Sequence, residues 1–155
     1  MAEELDLQAA HRRFSAECFN RAWDLLDKSA RSVEEDEKML LLGLASLWHW
    51  SERADCTPTN LSIGCWQVSR IYAVLGQAEN ARRYALRCLD YSRGEDTLPF
   101  YLGYAYEALA RAKALAGNRA EMEQALAEAH LAAARMSDLE SQKQLLDDLN
   151  TIRLA

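Results

Sequence analysis

Two segments of the sequence place similar residue types at the same helical spacing, and a glycine follows in each. Arg70 stands six residues before Gly76, and Arg111 stands six residues before Gly117. In both segments a large residue precedes a small one by four positions, and small or apolar residues continue at helical intervals beyond the glycine. Two antiparallel helices need that order to pack closely. The chain is therefore predicted to be a stack of helix pairs.

Composition favours one all-α domain over residues 1–155. Half of the residues are apolar, and only six glycines and two prolines interrupt them. A chain of this length fits one domain. The net charge of −6 disfavours nucleic acid and anionic membrane as partners, since both require clustered Lys and Arg. We therefore expect neither a nucleic-acid nor a membrane partner.

The start of the sequence and its most apolar stretch both favour a cytoplasmic protein. Residues 1–6 are acidic and lack the basic-then-apolar order of a signal peptide. The stretch from Met39 to Trp50 is about twelve residues long, whereas a membrane-spanning helix needs ~20. A buried helix accounts for it better. Four cysteines lie far apart in the chain, so free thiols are expected.

Helix-capping residues and glycines divide the chain into seven predicted helices. Five starts carry an N-cap residue, a capping-box spacing or an early proline: Ser32 with Glu35, Thr57 with Pro58, Asp96 with Thr97, Asn118 with Glu121 and Ser137 with Glu140. The predicted helices span residues 5–30, 33–54, 59–75, 78–93, 97–116, 119–136 and 138–152.

Short connections predict how these helices pack. The first is expected to pair with the second, the third with the fourth and the fifth with the sixth, in antiparallel fashion. The clearer repeats span residues 61–93 and 97–136. The helix over 138–152 is predicted to cap the stack with one apolar face, formed by Leu139, Leu145, Leu146, Leu149 and Ile152.

The order of these residues resembles the tetratricopeptide repeat. The first copy carries the resemblance on both helices and at the turn, through Cys65, Val68, Ser69, Tyr72, Gly76, Ala81, Ala85 and Cys88. The second copy has Lys113 where an aromatic is usual and Met122 in place of a small residue. The turn glycines are 41 positions apart, against a family period of about 34. The resemblance covers roughly residues 61–135 and implies a superhelical stack with a binding role.

The resemblance also implies that the first helix of each pair lines a concave groove. It places Trp66, Arg70, Glu107 and Arg111 along one inner stripe, with Tyr104 one turn earlier. An aromatic ring, two guanidinium groups and a carboxylate suit a peptide or a small acidic ligand. The alternative is that Glu107 and Arg111 form only an exposed i,i+4 pair, worth about 0.2–0.5 kcal/mol.

His49 and Trp50 are further candidate binding residues, within the run Trp48-His49-Trp50. Two residues apart on a helix lie about 200° apart, so the two tryptophans cannot face one pocket. One is expected in the core between helix pairs and the other nearer the surface, with ligand stacking by Trp50 or His49 as the alternative. His49 and Glu52 have the spacing of metal ligands but lack a second facing set, so no metal is expected.

The sequence lacks the common signatures of catalysis. It contains no G-x-S-x-G, no phosphate loop and no dinucleotide glycine fingerprint. We therefore predict a non-catalytic interaction module without a cofactor, which binds a protein, a peptide or a small acidic ligand in its groove. The alternative is a small helical enzyme or ligand sensor with a pocket around His49, Trp50, Trp66 and Arg70. Apolar residues of the first helix pair, around Phe14, Phe19, Trp23 and 39–50, make a homodimer a further expectation.

Overall fold

The computed structural model describes residues 6–155, and within that range the chain forms seven α-helices and no strand. The helices are α1 (Leu7–Leu26), α2 (Val33–Ser51), α3 (Pro58–Val74), α4 (Ala78–Tyr91), α5 (Pro99–Leu115), α6 (Arg119–Ala134) and α7 (Leu139–Leu149). The predicted all-α class and the order of the elements are confirmed. The predicted helix start at residue 5 and the acidic segment before it lie outside the described residues.

Capping side chains define most of the predicted helix starts. An N-cap side chain accepts a backbone hydrogen bond at Ser32, Thr57 and Asn118, as predicted. Ser137 is not the cap of α7, because the Asp138 carboxylate takes that role and accepts from the Ser141 N–H at 3.0 Å. A carboxylate also interacts favourably with the helix dipole. The predicted start at Asp96-Thr97 is wrong as well, since α5 begins at Pro99, whose fixed φ suits a first helical turn.

Gly76 and Gly117 form the same turn in the two copies of the repeat. Both have φ of +74°, a backbone conformation that other residues rarely adopt. The next residue in each copy donates back across the turn, from Gln77 N to Tyr72 O at 2.9 Å and from Asn118 N to Lys113 O at 3.0 Å. This is the hydrogen bond of a glycine C-cap. It requires a glycine at both positions, which is why the copies are recognisable in the sequence.

The helices pack as sequential pairs, α1 on α2, α3 on α4 and α5 on α6. Contacts of α2 with α3, of α4 with α5 and of α3 with α5 join the pairs, and α7 packs on α5 and α6. The predicted pairs are therefore present. No helix in residues 6–155 has both the length and the apolar character to cross a membrane.

The packed face of α7 is shorter than the sequence predicts. Leu145, Leu149 and Ile152 are buried in one core cluster with residues of α5 and α6, and Leu146 packs against it. Leu139 is 75% exposed, so its predicted place on this face is wrong. It is the first residue of α7, and the buried part of the helix begins only at Leu145.

Small residues lie where the helices of a pair approach closely. Ala81, Ala85, Ala110 and Ala129 are fully buried, as their spacing predicts. At one of these contacts the Ser69 hydroxyl of α3 donates to the Ala81 carbonyl of α4 at 2.8 Å. A larger side chain at such a position has no free volume to occupy.

Leucine at Ala81 or at Ala110 is therefore expected to overpack the contact and to lower the free energy of unfolding by about 1–3 kcal/mol. Urea unfolding followed by circular dichroism measures the change. Ala127→Leu is the matched control, because Ala127 is exposed on α6. Wild-type stability in both buried variants would contradict close packing at these alanines.

Candidate functional site

A cleft of about 510 Å³ opens between α1, α3, α5 and α7, and we call it the aromatic cleft. Six aromatic side chains line it: Phe19 and Trp23 from α1, Trp66 from α3, and Phe100, Tyr101 and Tyr104 from α5. Gln144 and Asp148 of α7 form its polar side. Small-molecule and cofactor sites typically have volumes of about 300–1,000 Å³ and mainly apolar linings. The aromatic cleft meets both criteria.

Ring contacts hold the aromatic side chains of the cleft in place. The Trp66 ring centroid lies 5.6 Å from that of Trp23 and 5.7 Å from that of Tyr104, the latter edge to face. The Phe100 and Tyr104 centroids are 4.9 Å apart. Aromatic pairs at such distances contribute about 0.5–1.5 kcal/mol each beyond the area they bury. Trp66, in contact with rings of both α1 and α5, is the centre of the cleft wall.

Glu107 lies beneath Trp66, and its side chain is only 1% exposed. One carboxylate oxygen accepts from Trp66 Nε1 at 2.9 Å. The other accepts from Arg70 Nη1 at 3.1 Å and from Arg111 Nε at 2.8 Å. The reading of Glu107 and Arg111 as only an exposed pair is therefore wrong, because the carboxylate is buried and shared with another helix. The anionic group between the two arginines belongs to the chain itself.

Polar contacts from α5 hold α7 against the cleft. Arg111 Nη2 donates to Asp148 O at 3.2 Å and to Thr151 Oγ1 at 2.9 Å. The Tyr104 hydroxyl donates to Asp148 Oδ2 at 2.7 Å. Burial raises the pKa of Tyr104 above its ordinary value, and the neighbouring Asp148 carboxylate raises it further. Tyr104 is thus a fixed hydrogen-bond donor.

The structure brings together the five residues that the sequence placed on one stripe: Trp66, Arg70, Tyr104, Glu107 and Arg111.

Arg70 also lines a second cleft of about 320 Å³ beside the aromatic cleft, and we call it the arginine cleft. Its polar lining consists of three arginines and one threonine: Arg70, Arg111, Arg153 and Thr151. The remainder of the lining is apolar, and no acidic side chain of residues 6–155 contributes to it. The arginine cleft therefore offers positive charge directly beside the aromatic cleft.

His49 lies outside both clefts, in the seam between α1 and α2. Its Nδ1 atom is 2.9 Å from Nδ1 of His11, and the two rings share one hydrogen bond. Burial and the neighbouring His11 lower the pKa of His49. No group of three or more His, Cys, Asp or Glu side chains in residues 6–155 is arranged to hold a metal ion.

The two tryptophans of the Trp48-His49-Trp50 run do face different ways, but neither is in the core. Trp48 is 55% exposed, whereas Trp50 is half-buried beneath the Arg53 guanidinium, 3.8 Å from its ring centroid. Trp50 borders a small depression next to the aromatic cleft, with which it shares Phe19 and Ile63. The residues of the alternative pocket, His49, Trp50, Trp66 and Arg70, therefore do not share one cavity.

Several residues that line the two clefts were not predicted as site residues from the sequence. Phe19 and Trp23, expected on a free apolar face, line the aromatic cleft instead. Their spacing of four residues on α1 was the available signal, since it places both on one helix face. Phe100 and Tyr101 precede Tyr104 by about one turn and give a similar signal. Phe14 and Trp48 remain exposed, and the homodimer remains a prediction.

Comparison with models of protein families, with curated proteins and with solved structures finds no match to this chain. The resemblance to the tetratricopeptide repeat thus rests on the residues and spacings that carry it.

Proposed function

We propose that the protein is a non-catalytic interaction module, a tetratricopeptide-like superhelical stack that binds an apolar segment of a partner protein in the aromatic cleft. One observation carries the proposal: six aromatic side chains from three different helices line a single cleft of about 510 Å³. Partly exposed aromatic side chains gathered in one concavity are typical of the centre of a protein interface. The first helices of all three pairs contribute to the cleft, as the family resemblance implies.

The polar groups around the cleft support binding rather than catalysis. Glu107 is occupied by Trp66 and two arginines, and Asp148 accepts from Tyr104. A general acid or base has to exchange a proton with the substrate, which requires a group within reach and a pKa near the working pH. The raised pKa of Tyr104 removes that side chain from such a role.

Ring contacts also support a preformed binding surface. Because Trp66 contacts Trp23 and Tyr104, the rings lose little further freedom when a ligand arrives. Each rotamer-rich side chain that binding immobilises costs about 0.5–1.5 kcal/mol, so a surface that is already ordered binds more tightly.

Peptides selected from a displayed random library against the full chain are the test. Trp23→Ala or Phe100→Ala is expected to weaken the selected peptides by about tenfold or more, since truncation of a central aromatic costs ~2 kcal/mol. Fluorescence anisotropy measures the affinity, and an unfolding curve for each variant shows that it is folded. Trp48→Ala is the matched control, because Trp48 is exposed outside the cleft. Selected peptides that bind Trp23→Ala and Phe100→Ala as tightly as wild type would refute the proposal.

A further inference from the structure

We infer that the partner segment carries an acidic residue close to its apolar anchor. The anchor occupies the aromatic cleft, and the carboxylate pairs with Arg70 and Arg153 in the arginine cleft. This inference rests on the proposed function, because it names the chemistry of the partner that the aromatic cleft binds. An extended peptide advances about 3.3 Å per residue, so a carboxylate beside Arg70 lies within roughly two residues of the anchor.

The position of Arg70 joins the two clefts into one site. Its side chain is 26% exposed and lines both of them. A guanidinium group has five N–H donors. Arg70 uses Nη1 for Glu107, and no other acceptor of residues 6–155 binds its side chain. Donors therefore remain for a ligand that reaches across from the aromatic cleft.

Arg111 differs from Arg70 in how its donors are used. It contacts Glu107 through Nε and Nη2, and Nη2 also contacts Asp148 O and Thr151 Oγ1. These contacts direct most of its donors into the protein. Arg111 therefore contributes positive charge to the arginine cleft while Arg70 offers the hydrogen bonds.

Arg153 adds the second accessible guanidinium. It is exposed, and its Nη1 donates to the backbone carbonyls of Asn150 and Ile152, at 2.9 Å for Ile152. No carboxylate of residues 6–155 lies within ion-pair distance of it. Two accessible guanidinium groups at one cleft favour a carboxylate, which accepts paired N–H donors in a fork geometry.

Charge complementarity decides between an acidic and a neutral partner. The whole chain carries a net charge of −6, yet within residues 6–155 the arginine cleft contains three arginines and no acidic side chain. Glu107 compensates one positive charge and the α-carboxylate of Ala155, which also lines the cleft, compensates a second, so one positive charge remains at this position. A local positive field on an acidic protein attracts an anionic segment to one place and repels it elsewhere.

Matched short peptides test the inference on the full chain by fluorescence anisotropy. The first probe carries a phenylalanine-leucine pair followed by a pair of glutamates in a serine-glycine background. The second has glutamines in place of the glutamates, and the third has serines in place of the apolar pair. Each probe is made in both sequence orders, because either chain direction can place an anion beside Arg70.

The glutamate probe is expected to bind about tenfold more tightly than the glutamine probe at low salt, and added salt should reduce that ratio. Arg153→Glu is expected to abolish the ratio, because it weakens the glutamate probe more than the glutamine probe. Arg119→Glu is the control, because Arg119 is an exposed arginine on α6 that lines neither cleft.

Three outcomes would overturn the inference. Equal affinities of the glutamate and glutamine probes would remove it while the proposed function stands. A glutamate preference that survives Arg153→Glu would place the anion elsewhere and would also remove it. Failure of both apolar probes to bind would overturn the proposed function and this inference together.

Discussion

Glu107→Ala is expected to lower the free energy of unfolding by about 3 kcal/mol, the lower part of the 3–5 kcal/mol range for a broken buried ion pair. The carboxylate is 1% exposed and accepts hydrogen bonds from Trp66, Arg70 and Arg111. Its removal leaves an indole N–H and two guanidinium groups without their acceptor. The value lies at the lower end because both arginines are partly exposed and regain some water.

Urea unfolding, followed by tryptophan fluorescence and circular dichroism, measures this loss. Glu123→Ala is the matched control, because Glu123 is exposed on α6 and within residues 6–155 pairs only with exposed Arg119, a contact worth about 0–1 kcal/mol. Glu107→Gln keeps an acceptor but removes the charge, so an intermediate loss is expected. If Glu107→Ala and Glu123→Ala unfold at the same urea concentration, the Glu107 network does not stabilise the fold.

The Glu107 network also separates the roles of its two arginines. Arg111 joins α5 to the end of α7 through Asp148 O and Thr151 Oγ1, so it is mainly a structural residue. Arg70 makes one hydrogen bond to Glu107 and borders both clefts. Equivalent places in the two repeats thus do not give equivalent roles. The difference comes from the acceptors on the neighbouring helix, because α5 offers Arg70 one carboxylate whereas the end of α7 offers Arg111 a backbone carbonyl and a hydroxyl.

Much of the fold follows from local sequence signals. Gly76 and Gly117 each supply the positive φ that their turn requires, and the caps at Ser32 and Thr57 are formed by their own neighbours. Such features depend on a few adjacent residues, so a sequence pattern predicts them. The helix start predicted at Asp96-Thr97 was wrong because Pro99, two residues further on, has a fixed φ that suits the first position of a helix. The helix therefore begins at Pro99, and Leu98 is its N-cap.

Of the residues that line the two clefts, the sequence predicted only residues that lie within the two clear repeats. The repeat spacing brings together the stripe from Trp66 to Arg111, but it does not indicate that Glu107 is buried. Burial depends on Trp66 covering the carboxylate from a helix 41 positions away in sequence. Trp23 and Arg153 come from elements outside the two clear repeats. A local pattern places Trp23 on the same face of α1 as Phe19, but helix packing over the whole chain decides which cleft that face and Arg153 line.

Leu145→Ala is expected to lower the free energy of unfolding by about 2–5 kcal/mol, through lost apolar contact and an unfilled cavity. Leu145 is fully buried between α7 and the core of α5 and α6. It packs directly against Gly103, where an added Cβ would lie only 2.5 Å from Leu145 Cδ2. A glycine has no side chain that can move into the cavity, so relaxation recovers little of the loss.

The loss of stability in Leu145→Ala is expected to arise at the contact between α7 and α5, and the pair Leu145 and Gly103 measures that contact directly. Leu139→Ala on the exposed start of α7 is the control and is expected to change stability by no more than about 0.5 kcal/mol. Gly103→Ala adds a methyl group that meets Leu145 in the wild type but enters the cavity in Leu145→Ala. The second substitution should therefore be more favourable in the Leu145→Ala background, with a coupling of about 0.5–3 kcal/mol between the two sites. Simple additivity of the two changes would mean that Leu145 and Gly103 are not in contact, and that α7 does not pack on α5 in this way.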